Sequence, residues 1–152
     1  MSFLDDLQAE IAKPAPTLDV DVVLNGNKHT LQFRRLDGLT WAELIDRHPP
    51  RIGGKDENDV EIPPVWVDVR YGYNLRAVIL DAAPLCGSVP DGAELSASDW
   101  ADLLNALDGA AFQRVSDAIF QLNEVGPREE VDAARKAPKR SRRSSTSPSS
   151  LE

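Results

Sequence analysis

The feature that most constrains this chain is an alternation of apolar and polar residues on both sides of an Asn-Gly pair. The residues that recur at every second position are Leu18, Val20, Val22 and Leu24 before the pair and His29, Leu31 and Phe33 after it. Asn25-Gly26 supplies the positive φ angles that a tight hairpin turn requires. The pattern therefore predicts a β-hairpin over about residues 17–34. Because two strands are marginal by themselves, its apolar face must pack on helices or pair with another subunit.

A short helix is predicted before the hairpin, from Ser2 to Lys13. Leu4, Leu7 and Ile11 recur at i, i+3 and i+7, which places them on one helical face. Pro14 and the proline after it end the helix. Since a helix of this length is marginal alone, its apolar stripe must dock on another part of a protein.

Helical spacing also predicts two helices in the middle of the chain. One covers Thr40 to His48 and begins with a Thr40–Glu43 capping box. The other runs unbroken from about Val65 to Ala83. The polar stretch 51–64, rich in proline and glycine, is expected to be an exposed mobile loop, and residues 84–95 a linking loop.

A helical hairpin is predicted towards the C-terminal end. Its first helix starts at a second capping box, Ser96 with Asp99, and Asp108-Gly109 separates it from the next helix. Gly126-Pro127 is expected to end the hairpin. The predicted fold is α+β and mainly α, with a short N-terminal helix and a β-hairpin followed by a small helical bundle. One compact domain is expected over residues 1–127, and a flexible, basic, serine-rich tail over 128–152, whose first residues can form a helical extension.

The charge distribution narrows the classes of function. The net charge is −8, but residues 1–133 hold 24 acidic and 11 basic side chains, a net charge of −13, while residues 134–151 hold six basic residues and no acid. An acidic body repels nucleic-acid phosphates. A single cysteine excludes an internal disulfide, no apolar run has membrane-spanning length, and the acidic N-terminus lacks a signal-peptide pattern. These features predict a soluble protein of a reducing cytoplasm.

No constellation typical of an enzyme stands out. The sequence has no nucleophile elbow, phosphate-binding loop, dinucleotide fingerprint or zinc-protease motif. His29 and His48 lack ligand spacing, and Cys86 has no evident histidine partner. We therefore predict a non-enzymatic protein with no cofactor and no metal.

Aromatic residues and helical stripes are the candidates for partner contacts, since interface hot spots are enriched in aromatic side chains. The candidate partner-binding residues are Trp66, Tyr71, Trp100, Leu103, Leu107, Phe112, Val115 and Ile119. The alternative is that the stripes on the two C-terminal helices bury against each other and form the protein's own core.

Two longer segments carry a family resemblance. The hairpin ends in TLQFRRLDGLTWAELIDRHPP, and the helical hairpin reads LSASDWADLLNALDGAAFQRVSDAIFQLNE before a basic low-complexity end. From about Val20 to Glu124, this order of elements resembles the tail assembly chaperones of long-tailed phages that infect actinobacteria.

The resemblance implies a specific role. Chaperones of that family bind the tape measure protein and keep it soluble in the host cytoplasm until tail tube protein polymerises around it, and they are absent from the mature virion. Many of their genes also give a longer product by ribosomal frameshifting. The resemblance further leaves room for self-association. The alternatives are a structural head–tail connector or tail component, and a small nucleic-acid-binding regulator that uses the basic tail.

Overall fold

The predicted hairpin is present in the computed structural model, which describes residues 2–138. β1 (Thr17–Leu24) and β2 (Asn27–Arg34) pair antiparallel over their full length, from Leu24↔Asn27 to Thr17↔Arg34. Asn25 and Gly26 have φ angles of 50° and 76°, as the turn residues of a two-residue hairpin require. The prediction of the hairpin and its register-setting turn is confirmed.

The rest of the described chain is mainly helical, which confirms the α+β fold class. The helices are α1 (Phe3–Ala12), α2 (Gly38–Arg47), α3 (Trp66–Tyr71), α4 (Leu75–Cys86), α5 (Ala97–Ala106), α6 (Gly109–Phe120) and α7 (Gly126–Lys136). The short strands are β3 (Gly54–Lys55) and β4 (Glu61–Ile62), which pair with each other, and β5 (Gly87–Ser88), which pairs with β2. A 3₁₀ turn spans Pro90–Gly92.

One face of the sheet forms a wall of the core. Val20, Val22, Leu31 and Phe33 are buried and pack against helices α2, α4, α5 and α6. The opposite face is polar: the Thr30 hydroxyl donates to the Asp21 carboxylate at 2.7 Å. This division follows from the period of two along a strand, which sends alternate side chains to opposite faces.

The prediction of one unbroken helix over residues 65–83 is wrong, because two helices, α3 and α4, cover this range. Gly72 adopts the left-handed region with a φ of 83° and ends α3. The Asn74 side chain then accepts a hydrogen bond from the Ala77 amide and caps α4, which continues to Cys86. Glycine allows the left-handed conformation at no steric cost, so the chain can turn here and start a second helix.

The start of α2 also differs from the prediction. Asp37, not Thr40, is the N-cap, and its carboxylate accepts hydrogen bonds from the Thr40 amide at 3.0 Å and the Thr40 hydroxyl at 2.7 Å. These bonds hold the pKa of Asp37 below its usual range. An aspartate three residues upstream satisfies the free amides of the first turn, and α2 therefore begins at Gly38.

The prediction that Gly126-Pro127 ends the helical hairpin is wrong. Residues Gln121–Val125 form a π-helical turn, in which the Gly126 amide donates to the Gln121 carbonyl, and α7 continues from there. Because proline has no N–H, it leaves the Leu122 carbonyl without a partner inside the turn. That carbonyl instead accepts from Arg35 Nε at 2.7 Å.

The sequence allows a helical extension at the start of the tail predicted from residue 128. Residues 128–136 are helical, whereas most of the basic, serine-rich stretch, residues 139–152, lies outside the described residues. The prediction of a flexible tail there stays a prediction.

Candidate interaction surface

Within residues 2–138, the two histidines and the cysteine that could act in catalysis or bind a metal ion lie on separate elements. No group of three or more histidine, cysteine, aspartate or glutamate side chains in this range is arranged to hold a metal ion. His48 Nε2 lies 2.6 Å from Asp81 Oδ2, while His29 lies on β2. Cys86 is buried, and burial raises the pKa of its thiol to about 12. The thiol therefore stays protonated near neutral pH and is a poor nucleophile.

Tyr71, one of the candidate partner residues, is held inside the molecule. Its hydroxyl donates to Asp117 Oδ1 on α6 at 2.5 Å, and the Gln113 side chain contacts both groups. Burial, and then the neighbouring Asp117 carboxylate, raises the pKa of Tyr71. This network joins α3 to α6, and Tyr71 therefore serves the fold.

The candidate partner residues on the two C-terminal helices are largely covered by the rest of the described chain. Trp100, Val115 and Ile119 are buried, with at most 2 % of each residue exposed, and Tyr71 is also buried, with 8 % exposed. The Trp100 ring lies 6.1 Å from the Phe33 ring, so α5 packs its stripe on the sheet. Trp100, Val115 and Ile119 therefore belong to the protein's own core. The alternative of a core role holds for these residues, but α5 packs on the sheet and on α4, and α6 packs on the sheet, so the two stripes do not mainly bury against each other.

Three other candidates lie at the edge of the core. Leu103, Leu107 and Phe112 are partly buried and pack against it. Leu107 and Phe112, together with Leu80 and Arg76, line a shallow depression of about 330 Å³ at the turn between α5 and α6.

One uncovered apolar face among the described residues belongs to α1. Phe3, Leu4, Leu7 and Ile11 are 79, 65, 43 and 74 % exposed, and no residue of α1 is buried. The helix starts at the predicted Ser2, whose side chain and that of Asp5 form a capping box. The sequence predicted that this stripe must dock on something, and the described part of the chain provides no cover for it.

A second uncovered set of apolar residues comes from the segment 51–69, and it includes the candidate Trp66. The exposed members are Ile52, Val60, Ile62, Trp66 and Val69. Their backbone is tied together by the β3–β4 pair and by a 2.9 Å hydrogen bond from the Val65 amide to the Arg51 carbonyl. The sequence pattern points to Trp66 but predicts a mobile loop over residues 51–64, because two-residue strands leave no periodic signal.

The charges beside both apolar sets are mainly negative. Asp5, Asp6 and Glu10 lie on α1 with Lys13 after its end, and the Lys13 ammonium is 3.1 Å from Glu10. Residues 54–62 carry four carboxylates and one lysine, Lys55, which pairs with Asp59. Both uncovered surfaces therefore present apolar side chains in an acidic setting.

Comparisons with protein-family models, curated proteins and solved structures found no match to this chain. None of the helices in residues 2–138 has both the length and the apolar character needed to cross a membrane.

Proposed function

We propose that this protein is a phage tail assembly chaperone that binds the tape measure protein and keeps it soluble while the tail is built. The resemblance of residues 20–124 to that family supports the proposal. Uncovered apolar side chains on a strongly acidic molecule support it as well, because they suit transient contacts with an apolar helical client.

The observation that carries the proposal is α1. A capped helix whose apolar residues are all exposed adds nothing to the core of its own chain. Ten-residue helices are marginal in water, and an exposed apolar stripe is a cost to solubility unless a partner covers it. Such an element fits a protein that works by lending apolar surface to another molecule.

Two separate surfaces favour a binding mode with several weak contacts. The α1 stripe and the Trp66 segment lie on different elements, and each offers only a few apolar side chains. Linked weak contacts raise overall avidity while each single contact still dissociates rapidly. On this proposal, polymerising tail tube protein displaces the chaperone in the bacterial cytoplasm, and the finished virion lacks it.

Co-expression with the tape measure protein encoded alongside tests the proposal. We expect the soluble fraction of the tape measure protein to rise when this chain is present. The double variant Trp66→Gln/Val69→Gln removes two exposed apolar side chains and should lower that soluble fraction by at least about twofold. Val23→Thr, which removes an exposed apolar side chain from the hairpin, is the matched control and should act like the unmodified chain.

Mass spectrometry of purified virions gives an independent check. The proposal expects tape measure and tail tube peptides and none from this chain. A stoichiometric amount of this chain in the particle, or a tape measure protein equally soluble with and without it, would refute the proposal.

A further inference from the structure

We infer that the exposed seam of α1 docks against a partner helix whose own apolar heptad seam is flanked by lysine or arginine side chains. This inference deepens the proposed function and rests on it, because it states the chemistry of the client segment that α1 would bind. It follows from the spacing of the seam, its exposure and the charges beside it.

The spacing indicates a helical partner. Leu4, Leu7 and Ile11 follow the a, d, a positions of a heptad, and a seam restricted to a and d is the kind that packs against another helix. Phe3 precedes Leu4 at a flanking g position. A flat or extended partner would match a 3–4 spacing poorly, whereas a facing helix accepts each side chain into a hole between four of its own.

The charges beside the seam indicate a cationic partner. Glu10 occupies the next g position, which faces the flank of a docked helix, and Asp5 and Asp6 add negative charge on the outer side. The Glu10–Lys13 pair is about 70 % exposed on both sides, so it contributes little and can be exchanged for a partner's lysine. A chain with a net charge of −13 over residues 1–133 further attracts a cationic segment.

The same charges disfavour a second copy as the occupant. Two α1 helices packed through their seams would place both Glu10 side chains on the flanks of the interface with no lysine or arginine at the flanking positions to pair with them, and uncompensated like charges there are destabilising. The charges therefore favour a segment of another protein as the partner.

Three synthetic peptides of about three heptads each test the inference. The first has leucine at a and d and lysine at e and g, the second replaces those lysines with glutamate, and the third keeps the composition of the first with its leucines scrambled. Like charges at e and g also keep the first two peptides from pairing with themselves. Binding of each labelled peptide to the full chain is measured by fluorescence anisotropy.

Two variants of the full chain separate the seam from general attraction to an acidic body. The seam variant carries three substitutions, Leu4→Gln, Leu7→Gln and Ile11→Gln. It removes the apolar seam but keeps the net charge, and glutamine retains a high helix propensity. Ala9→Gln/Ala12→Gln places the same residue away from the seam on the same helix. Circular dichroism and the unfolding midpoint confirm that both variants fold, as expected for a helix without buried residues.

We expect the lysine peptide to bind the unmodified chain and the Ala9/Ala12 variant alike, and the seam variant at least about tenfold more weakly. The glutamate and scrambled peptides should each bind the unmodified chain at least about tenfold more weakly than the lysine peptide. Equal binding of the lysine peptide to the seam variant would overturn the inference. So would equal binding of all three peptides, or a dimer of the unmodified chain that the seam variant abolishes.

The co-expression assay distinguishes failure of this inference from failure of the proposed function. If the seam variant keeps the tape measure protein as soluble as the unmodified chain does, the inference fails and the chaperone function stands. If the unmodified chain itself leaves the tape measure protein insoluble, the chaperone function fails, and the peptide measurements alone decide whether α1 binds cationic helices.

Discussion

Asp68 is a buried charged side chain that links three parts of the described fold through its hydrogen bonds. It is fully buried, and its carboxylate accepts hydrogen bonds from the Arg51 amide at 3.0 Å, Arg51 Nε at 2.7 Å, Arg51 Nη2 at 3.1 Å and the Leu75 amide at 3.2 Å. The Arg51 side chain, and then the backbone amides, hold the pKa of Asp68 below its usual range. This carboxylate joins the start of the 51–69 segment to α3 and α4.

We predict that Asp68→Asn destabilises the fold in a pH-dependent way. An asparagine cannot accept all four bonds, and the free energy of unfolding at pH 7 should fall by about 1–3 kcal/mol. Because the folded-state pKa is lowered, the stabilisation by the wild-type carboxylate is present above the unfolded pKa of about 3.9 and is lost as pH falls through the folded-state pKa. Urea unfolding at pH 7 and at about pH 2.5 measures both effects.

Glu57→Gln is the control for this prediction, since Glu57 is exposed on the same segment. It should leave the free energy of unfolding nearly unchanged at both pH values. A loss for Asp68→Asn that is as large at about pH 2.5 as at pH 7 would contradict the role assigned to the ionised carboxylate.

At the scale of elements, the π turn between α6 and α7 is held from outside by residues that follow the hairpin. Arg35 donates to the Leu122 carbonyl and pairs with Glu130 at 2.9 Å, and Trp41 Nε1 donates to Glu124 at 2.7 Å. A Cβ atom at Gly126 would lie 3.0 Å from the Arg35 guanidinium, so glycine leaves room for this contact. The turn therefore depends on a residue far away in the sequence.

We predict that Arg35→Ala loosens α7 more than any other element. The Leu122 carbonyl loses its donor and Glu130 its partner, which should lower the free energy of unfolding by about 1–2 kcal/mol. Amide hydrogen exchange should accelerate over residues 122–136 and change little in α5.

Arg47→Ala provides the comparison for Arg35→Ala, because Arg47 is an exposed arginine at the end of α2. We expect its exchange pattern to match that of the unmodified protein. Unchanged exchange over residues 122–136 in Arg35→Ala would show that the turn does not need this contact.

At the scale of the whole molecule, the apolar residues divide into a core and two uncovered sets. The sheet face and helices α2, α4, α5 and α6 supply the buried cluster, whereas α1 has no buried residue. Stability should therefore depend on the first group and partner binding on the second. The two properties can be changed separately.

We predict that deleting residues 2–12 changes the free energy of unfolding by no more than about 0.5 kcal/mol, because the helix buries nothing. Trp100→Ala should lower it by about 3–5 kcal/mol, because it empties a buried site against Phe33. Chemical denaturation of the two variants compares these values directly. A deletion as costly as Trp100→Ala would mean that α1 packs on the body in solution.

Several elements were predictable because their signals lie within a few residues of one another. Asn25-Gly26 determines the hairpin turn, Ser2 with Asp5 and Ser96 with Asp99 cap α1 and α5, and Asp108 caps α6. Such contacts form between neighbours in the chain, so the residues involved can be read directly from the sequence.

Other outcomes depended on contacts between distant residues. Helical periodicity shows that α1, α5 and α6 each have an apolar face, but it does not show what covers that face. Tertiary packing buried most of the apolar faces of α5 and α6 and left that of α1 exposed, while the candidate Trp66 also stays exposed.

The sequence alone determined the mainly helical α+β class, the hairpin turn and the starts of α1, α5 and α6, because local hydrogen bonds and the side-chain period set these. Only the tertiary structure decided that helical structure continues through Gly126-Pro127 into α7 and that Asp68 is buried. In both cases the reason is an arginine that arrives from elsewhere in the chain, Arg35 at the Leu122 carbonyl and Arg51 at Asp68, to satisfy a polar group that would otherwise be left without a partner.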